Sequence, residues 1–221
     1  VYTEPKTKSN VPDDAPTVLE VRNMRSGNMV KDVSFKLRKG EILGFAGLMG
    51  AGRTELARAI YGADEFDSGE VLINGKKVKI RTPESAVKHG ICYLSEDRKQ
   101  YGLLLIKSVA ENSVLASLDD YIKFGWINDA KAKKSAEEVN KKLRTKTPSM
   151  DQLLKNLSGG NQQKVIVARW LLKNSDIFIF DEPTRGIDVG AKSEMYELME
   201  ELAAQGKSII MISSELSEIQ R

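Results

Sequence analysis

Gly47-Leu48-Met49-Gly50-Ala51-Gly52-Arg53-Thr54-Glu55 lies between a short apolar run, Ile42 to Ala46, and a helical pattern that opens at Leu56 and reaches Tyr61. Strand, glycine turn and helix in that order form the setting of a phosphate loop. Glycines let the chain curl so that successive N–H groups aim at one anion. The following helix adds its unpaired amides and the positive end of its dipole. Thr54 stands where a hydroxyl would hold Mg²⁺, and Arg53 stands where the pattern calls for Lys. A glycine-rich turn with no ligand would carry the same residues, so this stretch needs company.

Downstream, Leu157-Ser158-Gly159-Gly160-Asn161-Gln162-Gln163-Lys164-Val165 opens a second helix, running to Leu172. Ser158 can cap it, while Gly159 and Gly160 leave bare amides at its start, a second anion site. Ile177-Phe178-Ile179-Phe180-Asp181-Glu182 is an apolar strand ending in two carboxylates. A strand buried on both faces belongs in a parallel sheet, whose carboxyl edge is where ligands bind. There Asp181 can hold Mg²⁺ through water, and Glu182 can orient or deprotonate an attacking water.

The rest of the chain supplies a frame. Val1 to Thr17 holds three prolines among polar residues and reads as a linker. Val18–Met24 and Val33–Leu37 alternate as strands and are expected as an antiparallel pair beside the phosphate-loop strand. Glu70 to Val78 reads as a hairpin turning at Asn74-Gly75. Thr82-Pro83-Glu84 caps a short helix ending at Gly90, with the lone histidine, His89, in its last turn as a cation at a helix end. Ile91–Leu94 is a short buried strand, which accounts for Cys92. From Ser108 to Leu172 the patterns are helical, clearest over Glu111–Leu118 and Asp129–Arg144, with no strand expected. Lysines there are interrupted by Glu137 and Glu138, as on a solvated face. Asp188 caps a helix, Lys192–Ala204, whose Met195, Leu198, Met199 and Leu202 form one core stripe, and Gly206 ends it. Ser208–Ser213 is a buried parallel strand. Trp170 is expected to pack on the second glycine-led helix, and Trp126 falls in a loop-like stretch.

Composition sets limits. The chain has 221 residues, 41% apolar and 29% charged, enough for one substantial core. It has no apolar run of the 18 or so residues a membrane span needs, and its first residues lack the apolar centre of a signal peptide. One cysteine excludes an internal disulfide. A net charge of +3 is too mild to argue for nucleic acid.

Taken together, the three site stretches resemble the ATP-binding-cassette ATPases. Leu157–Gln163 looks like their signature sequence, Phe180–Thr184 like their Walker B strand, and Gly186-Ile187-Asp188 like their D-loop. Ser108-Val109-Ala110-Glu111-Asn112 matches the helix that opens their helical subdomain. Ser95-Glu96-Asp97-Arg98-Lys99 and Asp188-Val189-Gly190-Ala191-Lys192, with the phosphate loop itself, are similar to the second half of the tandem ATPases of ribose, galactose and xylose importers, the ribose type most closely. The resemblance covers about Val18 to the end. It implies an α/β fold with a P-loop NTPase core, a mostly parallel sheet flanked by helices. An antiparallel β-subdomain and a helical signature subdomain over about 100–172 would complete it. The missing initiating Met and the end at Arg221 imply a piece truncated at the C-terminus, joined by its linker to a first cassette.

The resemblance also implies roles. Gly47, Leu48, Met49, Gly50, Ala51, Gly52, Arg53, Thr54 and Glu55 would bind ATP, with Thr54, Asp181 and Glu96 at Mg²⁺. Glu182 would act on water, and Ser214 would stand at the switch position. Ser158, Gly159, Gly160 and Asp188 would face the nucleotide of a partner cassette, Ser158 and Gly160 clamping its γ-phosphate. Implied partners are the first nucleotide-binding domain of the same polypeptide, transmembrane permease subunits and, indirectly, a periplasmic-type sugar-binding protein, at the cytoplasmic face of the inner membrane and without nucleic acid.

Several positions depart from the general cassette pattern. Arg53 replaces Lys, Glu55 stands where a Ser or Thr would touch the α-phosphate, Glu96 replaces a Gln, and Ser214 replaces a His. No aromatic stands near Met24–Asn28 to stack on adenine. Losing one preorganised donor typically costs about 3 kcal/mol, or 10²- to 10³-fold in rate. The expectation is a slow site here and an intact signature helix completing the partner's site. Two other readings are a cassette of DNA repair or translation, which would normally carry coiled-coil or strongly basic insertions, and a nucleotide-binding regulatory module that never hydrolyses.

Overall fold

The strands with no polar alternate must be covered on both faces, and in the computed structural model, which describes residues 11–48 and 50–220, they are. The strands are β1 (Thr17–Ser26), β2 (Val30–Arg38), β3 (Ile42–Ala46), β4 (Ser68–Ile73), β5 (Lys76–Val78), β6 (Ile91–Leu94), the short β7 (Ile122–Lys123) and β8 (Trp126–Ile127), β9 (Ile177–Asp181) and β10 (Ser208–Ser213). The helices are α1 (Arg53–Tyr61), α2 (Pro83–Lys88), α3 (Val109–Val114), α4 (Asp129–Lys142), α5 (Gly159–Leu172), α6 (Val189–Ala204) and α7 (Leu216–Ile219). Most of the linker expected over residues 1–17 lies outside the described residues.

The chain divides into two units. One holds the described residues up to Tyr93, Asp176–Pro183 and those from Met199 onward. Its parallel sheet runs β3-β10-β9-β6, and every residue of β9 and β10 is buried. The register sets Ile212 of β10 opposite Phe45 of β3 on one side and opposite Asp181 of β9 on the other. The phosphate-loop strand and the acid-tipped strand therefore end level, one strand apart. Strand order reversing around β10 makes the crevice at these carboxyl ends a binding place in such sheets.

β1 and β2 pair antiparallel as expected, but not beside β3. They form a separate sheet, β2-β1-β4-β5, because their alternating pattern leaves one face for solvent. The β4–β5 hairpin turns through Asn74 (φ 48°) and Gly75 (φ 76°), two left-handed residues in succession. The Thr82 hydroxyl accepts the Ser85 amide to start α2, His89 is its C-cap, and Cys92 is buried in β6. Phe178 and Phe180 stack 6.1 Å apart.

The other unit comprises Leu94–Ser175 and Thr184–Leu198. Ser108 and Glu111 form a capping box on α3, and the Ser108 backbone amide, helped by Lys107, pulls the Glu111 carboxyl down to about 2. The helical run expected over Glu111–Leu118 changes to a 3₁₀ helix at Leu115–Tyr121. A small hairpin, β7–β8, then contradicts the strand-free expectation. Phe124 (φ 52°) and Gly125 (φ 81°) turn it, and Trp126 lies on it, 82% exposed. α4 buries Ala132, Ala136 and Val139 and turns its lysines outward, the solvated face expected. α6 starts a turn earlier than expected, with the Asp188 carboxylate accepting the Ala191 amide at 2.9 Å. Its Met195, Leu198, Met199 and Leu202 are all buried, and Trp170 of α5 is half-buried.

Phe180, next to the last residue of β9, has no exposed surface. Phe180→Ala is expected to cost about 3–5 kcal/mol in urea unfolding. A loss below about 1 kcal/mol would show that the strand is not the core of its sheet.

Candidate functional site

The turn after β3 is set by backbone conformations that few side chains tolerate. Gly50 has φ 80°, and Gly52, the N-cap of α1, has φ 83°. A Cβ on Gly52 would also lie 2.7 Å from the Met29 carbonyl oxygen. No side chain caps α1, so its first amides face the loop. Glu55 lies in that first turn, Leu48 and Ala51 close a tight turn by a 3.1 Å backbone bond, and Met49 lies outside the described residues.

Asp181 arrives at the same place from β9. It is fully buried; Thr54 Oγ1 donates to its Oδ1 at 3.2 Å, and Tyr93 Oη donates to its Oδ2 at 2.7 Å. Burial raises the Asp181 pKa above the usual carboxylate range, against the two hydroxyl donors and Arg53. The Tyr93 phenol is raised by its own burial and then by Asp181. Tyr93 was not singled out in the sequence, where it reads as one more residue of a short buried strand. Among the described residues no cluster of three or more His, Cys, Asp or Glu exists that could hold a metal ion. A cation held by Thr54 and Asp181 would have room to keep phosphate and water ligands, which is how Mg²⁺ usually binds.

Arg53 occupies the centre of this arrangement. Its Nη1 donates to the Ser213 carbonyl, its Nη2 donates to the Leu48 carbonyl at 3.2 Å, and Nη2 lies 3.7 Å from Glu182 Oε1. Both side chains of that ion pair are only 11% exposed. Glu182 holds φ 48°, left-handed for a residue with a Cβ, while its amide donates to the Ile212 carbonyl at 3.0 Å. Such a conformation costs on the order of 1–3 kcal/mol and persists only where surroundings enforce it. Ser214 is exposed, whereas its neighbour Ser213 is buried, donating to Glu218 Oε2 at 2.6 Å.

The other expected residues belong to the second unit. Ser158 is the N-cap of α5 by backbone, yet its hydroxyl makes no capping bond, contrary to expectation; it accepts from Asn161 Nδ2 at 2.8 Å. Gly159 and Gly160 admit close neighbours: added Cβ atoms would lie 2.6 Å from Arg98 Nη2 and 2.8 Å from Ala191 Cβ. Arg98, another residue given no role from sequence, donates to the Arg185 carbonyl at 3.0 Å, and burial lowers its pKa. Glu96 is ion-paired with Arg185, so its carboxylate is already engaged by a guanidinium. Asp188 serves as the α6 cap described above.

A profile of the ABC transporter family matches residues 30–185. The chain is 55% identical over 202 residues to a putative ribose/galactose/methyl galactoside import ATP-binding protein of Halalkalibacterium halodurans, covering 91% of this chain and 39% of that protein. It is 49% identical over 208 residues to the ribose import ATP-binding protein RbsA of Lacticaseibacillus paracasei, covering 94% and 42%. The chain thus spans about two fifths of the length of these curated relatives. In fold it is similar to a nucleotide-free ATP-binding cassette from an ABC transporter, with TM-score 0.79 and 22% identity over 92% of this chain and 83% of that one. A bacterial Atm1-family ABC exporter with ATP bound gives TM-score 0.69 and 21% identity over 98% and 37%. Phosphate loop, buried acid and family profile fall on the same residues, and the chain belongs to the ABC transporter family as an ATP-binding cassette of the P-loop NTPase fold.

Proposed function

We propose that this cassette is the second of two in a tandem ATPase that drives import of a ribose-type monosaccharide through a membrane permease. The observation that carries its nucleotide chemistry is the Thr54–Asp181 contact beside a glycine loop with uncapped helix amides. Support for sugar import comes from the two curated relatives named above, both of them import ATP-binding proteins. The partners follow from that reading: a first cassette on the same polypeptide, permease subunits and, indirectly, a sugar-binding protein. No nucleic acid is among them, and the location is peripheral, at the cytoplasmic face of the inner membrane. No helix among the described residues is long and apolar enough to cross a membrane.

In this reading residues 47–55 hold the ATP phosphates, and Thr54 with Asp181 would hold Mg²⁺, which would supply charge neutralisation there. Glu96, placed at the metal by resemblance, would first have to leave Arg185. Glu182 Oε accepts a proton from the attacking water and orients it, and Ser214, lacking a switch cation, leaves the γ-phosphate less stabilised. Ser158, Gly159, Gly160 and Asp188 face the nucleotide held by the other cassette. Catalysis of this kind is mostly positioning and charge stabilisation. Arg53 works against both in the arrangement seen, because its guanidinium pairs with the base and bridges two carbonyls. The local site is therefore slow and its signature helix serves the competent site.

That Arg53–Glu182 pair also favours a second reading, a regulatory module that binds nucleotide without hydrolysis. Turnover by this chain alone is expected to be slow, and Arg53→Lys, which keeps the charge but loses the fork, to raise it. Releasing an ion pair worth about 1 kcal/mol corresponds to roughly a fivefold gain. Brisk turnover of the unmodified chain contradicts the slow-site reading. Mg·ATP binding with no turnover in either form favours the regulatory module.

A second expectation concerns pH. Protonating Asp181 removes a metal ligand, so Mg²⁺-dependent nucleotide binding weakens as pH falls toward its raised pKa. The Tyr93 bond favours the ionised form. Tyr93→Phe should move that acid limb to higher pH and weaken Mg²⁺-dependent binding about 10- to 100-fold, as loss of an outer-shell partner does. Titration calorimetry across pH with an unshifted limb would separate Asp181 from the metal.

A further inference from the structure

We propose that Asn161 is a positioning residue that aims the Ser158 hydroxyl outward, an inference that rests on reading Ser158 as a donor to the partner cassette's γ-phosphate. A serine at a helix N-cap ordinarily turns its oxygen inward to accept the amide three residues on. Ser158 has the extended backbone of such a cap (φ −60°, ψ 157°) and does not do so. Its Oγ instead accepts from Asn161 Nδ2 at 2.8 Å.

The orientation of that amide is fixed by chemistry. The Lys146 backbone N–H, which can only donate, meets Asn161 Oδ1 at 2.7 Å, so the nitrogen is the end facing Ser158. Two consequences follow. A hydroxyl whose oxygen already accepts has its own proton directed elsewhere, and donation into that oxygen polarises the O–H, strengthening the next bond by about 10–30%. The first amides of α5 also stay uncapped by Ser158, available to the same anion.

The surroundings leave Ser158 little other restraint to depend on. The backbone after it is held by the close approaches of Gly159 to Arg98 and Gly160 to Ala191. What those approaches do not fix is the rotation of the Ser158 side chain, and Asn161 fixes that. The anchor is itself tied down: Lys146 Nζ lies 3.3 Å from Glu194 Oε1, and Glu194 Oε2 lies 2.7 Å from Nζ of Lys164, a lysine on α5 whose side chain is 6% exposed.

The test uses the full-length polypeptide with its permease in proteoliposomes, comparing Asn161→Asp, Asn161→Ala, Asn161→Gln, Ser158→Ala and the double variant Ser158→Ala/Asn161→Asp. An ionised Asp can accept but not donate, so Ser158 would turn its proton inward. Expected is a loss of about 10- to 100-fold in kcat for Asn161→Asp with KM for ATP unchanged, since the phosphate loop still binds it. Asn161→Ala should lose activity with no fall in its thermal midpoint, because Ser158 can then cap the helix. Asn161→Gln should recover part of the activity, and the double variant should match Ser158→Ala alone. Should Asn161→Asp fail to fold, Asn161→Ala decides. Wild-type turnover of the Asn161 variants beside a slow Ser158→Ala overturns the inference and spares the reading of Ser158. Losses that multiply in the double variant also overturn it. Wild-type turnover of Ser158→Ala overturns the reading of Ser158 itself.

Discussion

Thr54 and Asp181 are 127 residues apart in the chain and 3.2 Å apart in the fold, and the whole site depends on that contact. Neither residue could bring it about locally. The Thr54 hydroxyl is delivered by a helix whose start is fixed by left-handed glycines, and the carboxylate by a strand with no exposed surface. Between them β10 fixes the distance, because parallel pairing sets the ends of β3 and β9 level. The contact has little stabilising purpose of its own. Burial of the Asp181 carboxylate raises its pKa and outweighs the two hydroxyl donors and the nearby Arg53. Such an arrangement suits a group waiting for a cation.

Around this pair the charges are arranged unusually. Arg53 reaches two carbonyl oxygens and the Glu182 carboxylate at once, and Glu182 sits in a backbone conformation that a side chain disfavours. A lysine is a point charge on a flexible stem and lacks the planar fork with which Arg53 addresses separate acceptors from its two terminal nitrogens. An arginine at position 53 therefore links the turn after β3 to the residues that follow β9 and end β10. It ties the turn after β3 to the Glu182 carboxylate. On the proposed reading, that tie is the physical cause of slow turnover at this site.

Much of this was legible in the sequence, for reasons that differ by element. The apolar β9 and β10, the Asn74-Gly75 hairpin, the Thr82 cap and the buried stripe of α6 follow from local pattern, and the structure has each of them. The pairing of β1 and β2 was legible but their sheet was not, since alternation says that a strand has one wet face and not which neighbours it joins. The β7–β8 hairpin was missed because two-residue strands carry no periodicity; its signal was the Phe124-Gly125 turn. Within the site, glycines and acids announce themselves by type and spacing. Tyr93, Arg98 and Asn161 do not, because each acts through a partner far away in sequence or through one side-chain torsion.

The central claim is that the Thr54 hydroxyl and the Asp181 carboxylate jointly receive the cation of a bound nucleotide. A crystal structure of this chain with Mn²⁺ and a non-hydrolysable ATP analogue, phased on the manganese anomalous signal, tests it most directly. The expected result is a single anomalous peak about 2.0–2.2 Å from Thr54 Oγ1, with Asp181 bound to it directly or through one water and the phosphates over residues 47–55. A peak at any other carboxylate cluster, or a nucleotide bound away from the glycine turn, would contradict the account.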